Sequence, residues 1–119
     1  MSEAKRYEGS CHCGKVRYQV STALEQVISC NCSICSRAGW LLTFVPAADF
    51  ELLSGESDIA DYRFHTKKIA HKFCTTCGIR PFAYGKNPDG SDVRAINVRC
   101  LDGVDLDALT ITKVDGRSF

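Results

Sequence analysis

Seven of the eight cysteines fall into three tight groups, and no other feature of the chain restricts its fold as strongly. "CHC" carries Cys11 and Cys13, "CNCSIC" carries Cys30, Cys32 and Cys35, and "CTTC" carries Cys74 and Cys77, with Cys100 left alone. Thiols spaced in this way serve either a disulfide framework or a metal, and the compartment decides between the two. The opening stretch "MSEAKRYEGSCHCG" has no apolar core of the kind a signal peptide needs, and no later stretch reaches the roughly 18 apolar residues of a membrane span. The sequence therefore predicts a soluble, cytoplasmic protein with reduced thiols and no membrane partner, and makes metal binding the leading explanation of the cysteines. Zinc takes four tetrahedral ligands, and a C-x-x-C turn aims two thiolates at one point.

Length and charge narrow the field further. A chain of 119 residues is one domain's worth, so residues 1–119 are read as a single zinc-binding domain. A net charge of +1, with basic residues dispersed and "TKK" as their longest run, gives no reason to expect nucleic acid. The zinc nucleoside deaminase pattern, H-x-E with P-C-x-x-C, is absent. "CTTC" also lacks the βαβ surroundings of a thioredoxin-like motif.

The pattern between the cysteines is that of strands. In "GKVRYQV", Val16, Tyr18 and Val20 alternate with Lys15, Arg17 and Gln19, as a half-buried strand requires. Further strands are expected in "EQVIS", in "WLLTFV" up to Pro46, and in "DFELLSG". "DYRFH" and "KIAHKF" read as a hairpin about "TK", with Tyr62, Phe64, Ile69 and Phe73 as its apolar positions, running straight into "CTTCG". "RPFAYG", "VRAINVRCL" and "LTITKV" complete the set, and a short helical turn is expected from Ser33 to Ala38. The fold class is mainly β: small antiparallel sheets pinned by zinc.

Seven clustered cysteines cannot fill two sites of four. The simplest partition joins Cys11 and Cys13 with Cys74 and Cys77 in a closed, structural site, and leaves Cys30, Cys32 and Cys35 as a three-thiolate site. Pairing Cys30 and Cys32 with Cys74 and Cys77 is the open alternative. A closed site across about sixty residues would hold the fold together, whereas three protein ligands with an open fourth position are the arrangement of a catalytic zinc. Three thiolates leave zinc a net −1 charge, which suits it poorly to activating water but lets it hold an external thiol as thiolate. The competing reading completes the second site with His12, His65, His71 or Cys100 and makes it structural. His71, in "IAHKFC", is a strand histidine with a candidate proton-transfer role. His12 lies between two ligands and is expected to point away from the metal, and Cys100 reads as a core thiol.

The motifs "GSCHCGKVRY", "CNCSIC" and "HKFCTTCGIRPFAYG", in this order and separation, resemble the glutathione-dependent formaldehyde-activating enzyme family, which includes centromere protein V. The resemblance implies a small β fold of the type called a β-tent. It also implies a structural zinc on Cys11, Cys13, Cys74 and Cys77, and a second zinc, less tightly held, on Cys30, Cys32 and Cys35. The implied reaction condenses glutathione with formaldehyde to S-(hydroxymethyl)glutathione, a carbon-sulfur lyase chemistry in reverse. In it the glutathione sulfur takes the fourth position on the second zinc, and His71 is a candidate acid. Arg37, Lys67, Lys68, Arg94 and Arg99 are all chemically able to grip the glutathione carboxylates. The alternative function is a non-catalytic, zinc-stabilised protein-binding module.

Overall fold

Alternation translates directly into burial around Val16, Tyr18 and Val20, which are all buried while Lys15 and Arg17 stay exposed. The computed structural model describes residues 4–63 and 69–116. Among these, the strands are β1 (Lys5–Ser10), β2 (Arg17–Thr22), β3 (Val27–Cys30), β4 (Leu42–Pro46), β5 (Phe50–Ser54), β6 (Ile59–Tyr62), β7 (Ala70–Cys74), β8 (Phe82–Lys86), β9 (Asp92–Asn97) and β10 (Ile111–Val114). One short helix, α1 (Ser33–Ala38), covers the expected helical turn.

Two sheets result. The smaller has the order β1-β2-β5 and is antiparallel, with Lys5 opposite Thr22 and Ser10 opposite Arg17. Its first hairpin therefore delivers Cys11 and Cys13 at the loop end. The larger sheet has the order β10-β3-β4-β9-β8-β7-β6 and is antiparallel except at one edge, where β10 runs parallel to β3 with Val114 beside Cys30. The hairpin expected before "CTTCG" is β6–β7, pairing Ile59 with Cys74 and Tyr62 with His71. Its turn, with Phe64, His65, Lys67 and Lys68, lies outside the described residues. Tyr62 and Ile69, read as apolar positions of that hairpin, are about half exposed, at 48% and 49%: Tyr62 ends β6, the outermost strand of its sheet, and Ile69 precedes the first residue of β7. β1 escaped the sequence reading because Lys5, Arg6 and Glu8 break any alternation of apolar residues.

The sheets meet on aromatic rings. Phe82 of β8 lies edge-on to Tyr18 of β2 at 5.1 Å and to Phe50 of β5 at 4.9 Å, and both Phe82 and Tyr18 have no exposed surface. Edge-to-face geometry adds to the burial of large apolar areas. The Tyr18 hydroxyl donates to the Pro81 carbonyl at 3.4 Å, which gives its buried oxygen a partner. Phe82→Ala is expected to cost about 3–5 kcal/mol; a loss below ~1 kcal/mol in denaturant titration would show that this ring does not join the sheets.

Candidate metal centres

Two loops, 61 residues apart, bring four sulfurs together. The Sγ atoms of Cys11, Cys13, Cys74 and Cys77 all lie within 4.8 Å of one another, with Cys11 to Cys13 at 3.5 Å and Cys13 to Cys74 at 3.6 Å. A tetrahedral zinc with bonds near 2.3 Å has sulfur-sulfur edges of about 3.8 Å, so the donor set fits that ion. All eight cysteines are free thiols, and the 3.5 Å spacing is far longer than a disulfide bond. Each loop turns at a glycine directly after its last cysteine, Gly14 at φ +84° and Gly78 at φ +77°, a left-handed conformation that suits glycine.

Backbone amides are aimed at the sulfurs. The Val16 N–H donates to Cys11 Sγ and the Thr76 N–H to Cys74 Sγ, both at 3.4 Å. The Cys77 and Thr76 amides hold Cys74 below the usual thiol range. Burial opposes ionisation of Cys77, but the Cys13 and Ile79 amides and the neighbouring sulfurs draw it down to about 6. Cys13 goes the other way: the Lys15 amide favours its thiolate, yet desolvation and the three adjacent sulfurs push it up to about 11. Four like charges at these distances repel one another strongly, and a bound cation would relieve that repulsion.

The second group is built where β3 hands over to α1. Cys30 ends the strand, Cys32 precedes the helix and Cys35 is buried on its inner face, and the three sulfurs again lie within 4.8 Å of one another. The Cys32 N–H donates to Cys30 Sγ at 3.4 Å, and the helical bond from Ser36 N–H to the Cys32 carbonyl fixes the turn. Burial pushes the Cys35 thiol up to about 12 against the pull of the Trp40 indole, and adjoining Cys32 and Cys30 add to the rise. Cys32 lies below the usual range, because the Cys35 amide and the flanking thiols outweigh its burial. The parallel strand β10 closes the other side: the Asn31 N–H donates to the Val114 carbonyl at 3.2 Å, and Gly116 sits so close that a methyl there would collide with Cys30 Sγ.

Neither sulfur group contains a histidine among the described residues. His12 is exposed. His71 is 7% exposed, and its ring stacks on Trp40 at 5.8 Å and 22°. Trp40 packs with Cys35 in one apolar cluster, which puts His71 on the side of the three-sulfur group. Burial and then the Arg80 charge hold His71 below the ordinary imidazole range. Cys100 stands outside the four-sulfur group, its thiol pushed up to about 11 by burial and by the nearby Cys11 and Cys77. The arginines divide clearly. Arg94 covers the Tyr84 ring at 3.8 Å, and Arg99 donates to the Gly39 carbonyl at 3.2 Å. Arg37 lies beside a cavity of about 590 Å³ lined by Ser33, Ile34, Arg37, Ala38, Tyr62 and Arg80. Arg80 lies within the motif "HKFCTTCGIRPFAYG", but the sequence alone assigned it no role.

Two outcomes are expected. Cys74→Ser should lower stability by ~3 kcal/mol or more through loss of the loop-closing site, while Cys32→Ser costs far less; equal losses in thermal denaturation would contradict this division. His71 should titrate by NMR with a midpoint below 6.5. As pH falls, the unfolded chain takes up this proton before the native one does, so His71 makes the fold less stable on the acid side. A midpoint at or above 6.5 would rule that out.

Two comparisons with known proteins bear on the fold and the family. A solved structure of a Rhodobacter sphaeroides protein superimposes with a TM-score of 0.76 at 28% identity, over 88% of this chain and 99% of the other. The sequence profile of the glutathione-dependent formaldehyde-activating enzymes matches residues 6–111, a span that takes in all three cysteine groups. With nearly its whole length inside that match, the chain belongs to the glutathione-dependent formaldehyde-activating enzyme family.

Proposed function

We propose that residues 1–119 form a single-domain, zinc-dependent carbon-sulfur lyase-type enzyme that joins a thiol, glutathione or a close analogue, to formaldehyde or another small aldehyde. The observation that supports this most directly is the three-sulfur group, which no other His, Cys, Asp or Glu joins among the described residues. Three protein ligands leave one tetrahedral position for substrate. The four-sulfur group is its structural counterpart. Cys30, Cys32 and Cys35 would hold the second zinc, which when bound would take an incoming thiol as its fourth ligand and favour the thiolate form near neutral pH.

The chain's own residues do the rest. A C–S bond forms, the carbonyl π pair moves to oxygen, and the proton lost by the thiol ends on that oxygen. His71, held below the ordinary imidazole range by burial and the Arg80 charge and stacked on the Trp40 that packs with Cys35, is assigned the transfer of that proton to the new hydroxyl oxygen. Trp40 shields this side of the sulfurs. Its Nε1–H is buried without a strict hydrogen bond, yet the indole still favours the Cys35 thiolate. We place the protein in the cytoplasm, where thiols stay reduced; no helix among the described residues is long and apolar enough to cross a membrane.

Native mass spectrometry of the reduced chain tests the reading. Two zincs per chain are expected, one lost in Cys32→Ser, with a glutathione adduct that requires the second. Two firmly held zincs and no thiol adduct would move the assignment to a zinc-stabilised protein-binding module.

A further inference from the structure

We infer that the end of β10, from Val114 to Gly116, is a positioning segment for the second metal centre, with Gly116 setting where the Cys30 sulfur sits. The inference rests on the reading of Cys30, Cys32 and Cys35 as metal ligands, and not on which thiol or aldehyde meets there. A methyl group at position 116 would overlap Cys30 Sγ and lie 3.1 Å from Cys32 Cβ. One backbone carbon thus borders two of the three ligand side chains. At Gly14 and Gly78, beside the four-sulfur group, the same methyl would meet open space, and a left-handed φ accounts for the glycine. Gly116 lies outside the left-handed region, so its close approach to sulfur is what calls for glycine there.

The two centres differ in what holds their ligands. The four-sulfur group draws on loops 61 residues apart, so a metal there ties distant parts of the chain together. The three-sulfur group comes from the single short stretch "CNCSIC" and closes no long loop. Its restraint from far along the chain arrives with β10. Val114 stands beside Cys30 in the parallel ladder, the Asn31 N–H donates to the Val114 carbonyl at 3.2 Å, and Asn31 Nδ2 donates to Asp115 Oδ1 at 3.0 Å. Asn31, placed between two ligands, is therefore the tie to β10, and Gly116 follows directly onto the sulfurs. The Cys30 sulfur also accepts from the Cys32 N–H at 3.4 Å, so its position is bounded by local and distant backbone alike. Ile111, Thr112 and Lys113 are exposed, and the strand gains burial only towards Val114 and Gly116. By linkage, docking of this strand end and filling of the centre support one another.

Chelator titration of the zinc-loaded chain, with zinc counted by native mass spectrometry, tests the role of the segment, and visible absorption of the cobalt(II)-substituted chain reports the geometry of each centre. Gly116→Ala is expected to hold the second zinc about tenfold or more less tightly, to leave the first unchanged, and to shift the ligand-field bands of cobalt in the second centre. Ile111→Ala, at the far end of β10, should lose less and leave the bands in place. Unchanged second-zinc affinity and bands in Gly116→Ala would overturn the inference. Equal weakening in Ile111→Ala would overturn it too, since any loosening of the strand would then suffice. Should Gly116→Ala fail to fold, Asp115→Ala at an exposed position removes the tie to Asn31, and unchanged second-zinc affinity there overturns the positioning segment. A native chain that holds a single zinc overturns the metal reading of the three sulfurs and the inference with it; two zincs in the native chain with no effect at position 116 overturn the inference alone.

Discussion

Crowded sulfur is the constraint around which this chain is organised. Cys11, Cys13, Cys74 and Cys77 meet at the ends of two hairpins that belong to different sheets. Without a cation, four thiols at such distances resist joint ionisation, and Cys13 is pushed up while Cys77 is pulled down. With one, the same crowding becomes a fastener between the sheets at the end of each hairpin. The aromatic contact of Tyr18, Phe50 and Phe82 joins the sheets along their faces, so the two devices divide the work between a face and an edge.

The three-sulfur group differs in its surroundings as well as in its count. It is set into the start of a six-residue helix and bounded by Trp40 on one side and the backbone of Gly116 on the other. The polar features gathered on its flank, Arg37, Arg80, Tyr62 and the buried His71, come from α1, β6, β7 and the segment between Cys77 and β8. A site assembled from so many elements is positioned by the whole sheet rather than by one loop.

Much of this was legible because cysteine spacing and period-two alternation are local signals. The C-x-C-G, C-x-C-x-x-C and C-x-x-C-G groups announced the turns, and Val16, Tyr18 and Val20 announced a face. Ligand counting separated a group of four from a group of three, but only the pairing of sheets brings residues 11 and 13 to 74 and 77. β1 was hidden by its charged residues, and the parallel pairing of β10 with β3 leaves no local mark at all. Arg80 sits in a quoted motif yet could not be singled out, since its surroundings, Asn97, Phe73 and Tyr62, are brought to it by the sheet.

The parallel edge strand has a practical bearing. β10 carries the chain past Cys30, and Gly116 rests against that sulfur. A segment added after this strand would continue from backbone that touches Cys30, one of the three sulfurs proposed to hold a metal. A polyhistidine tag there would offer imidazoles to the very position that substrate is proposed to use, whereas the same tag placed before β1 enters at the edge of the other sheet. The choice of which end to label is thus a choice about the coordination chemistry of the purified protein.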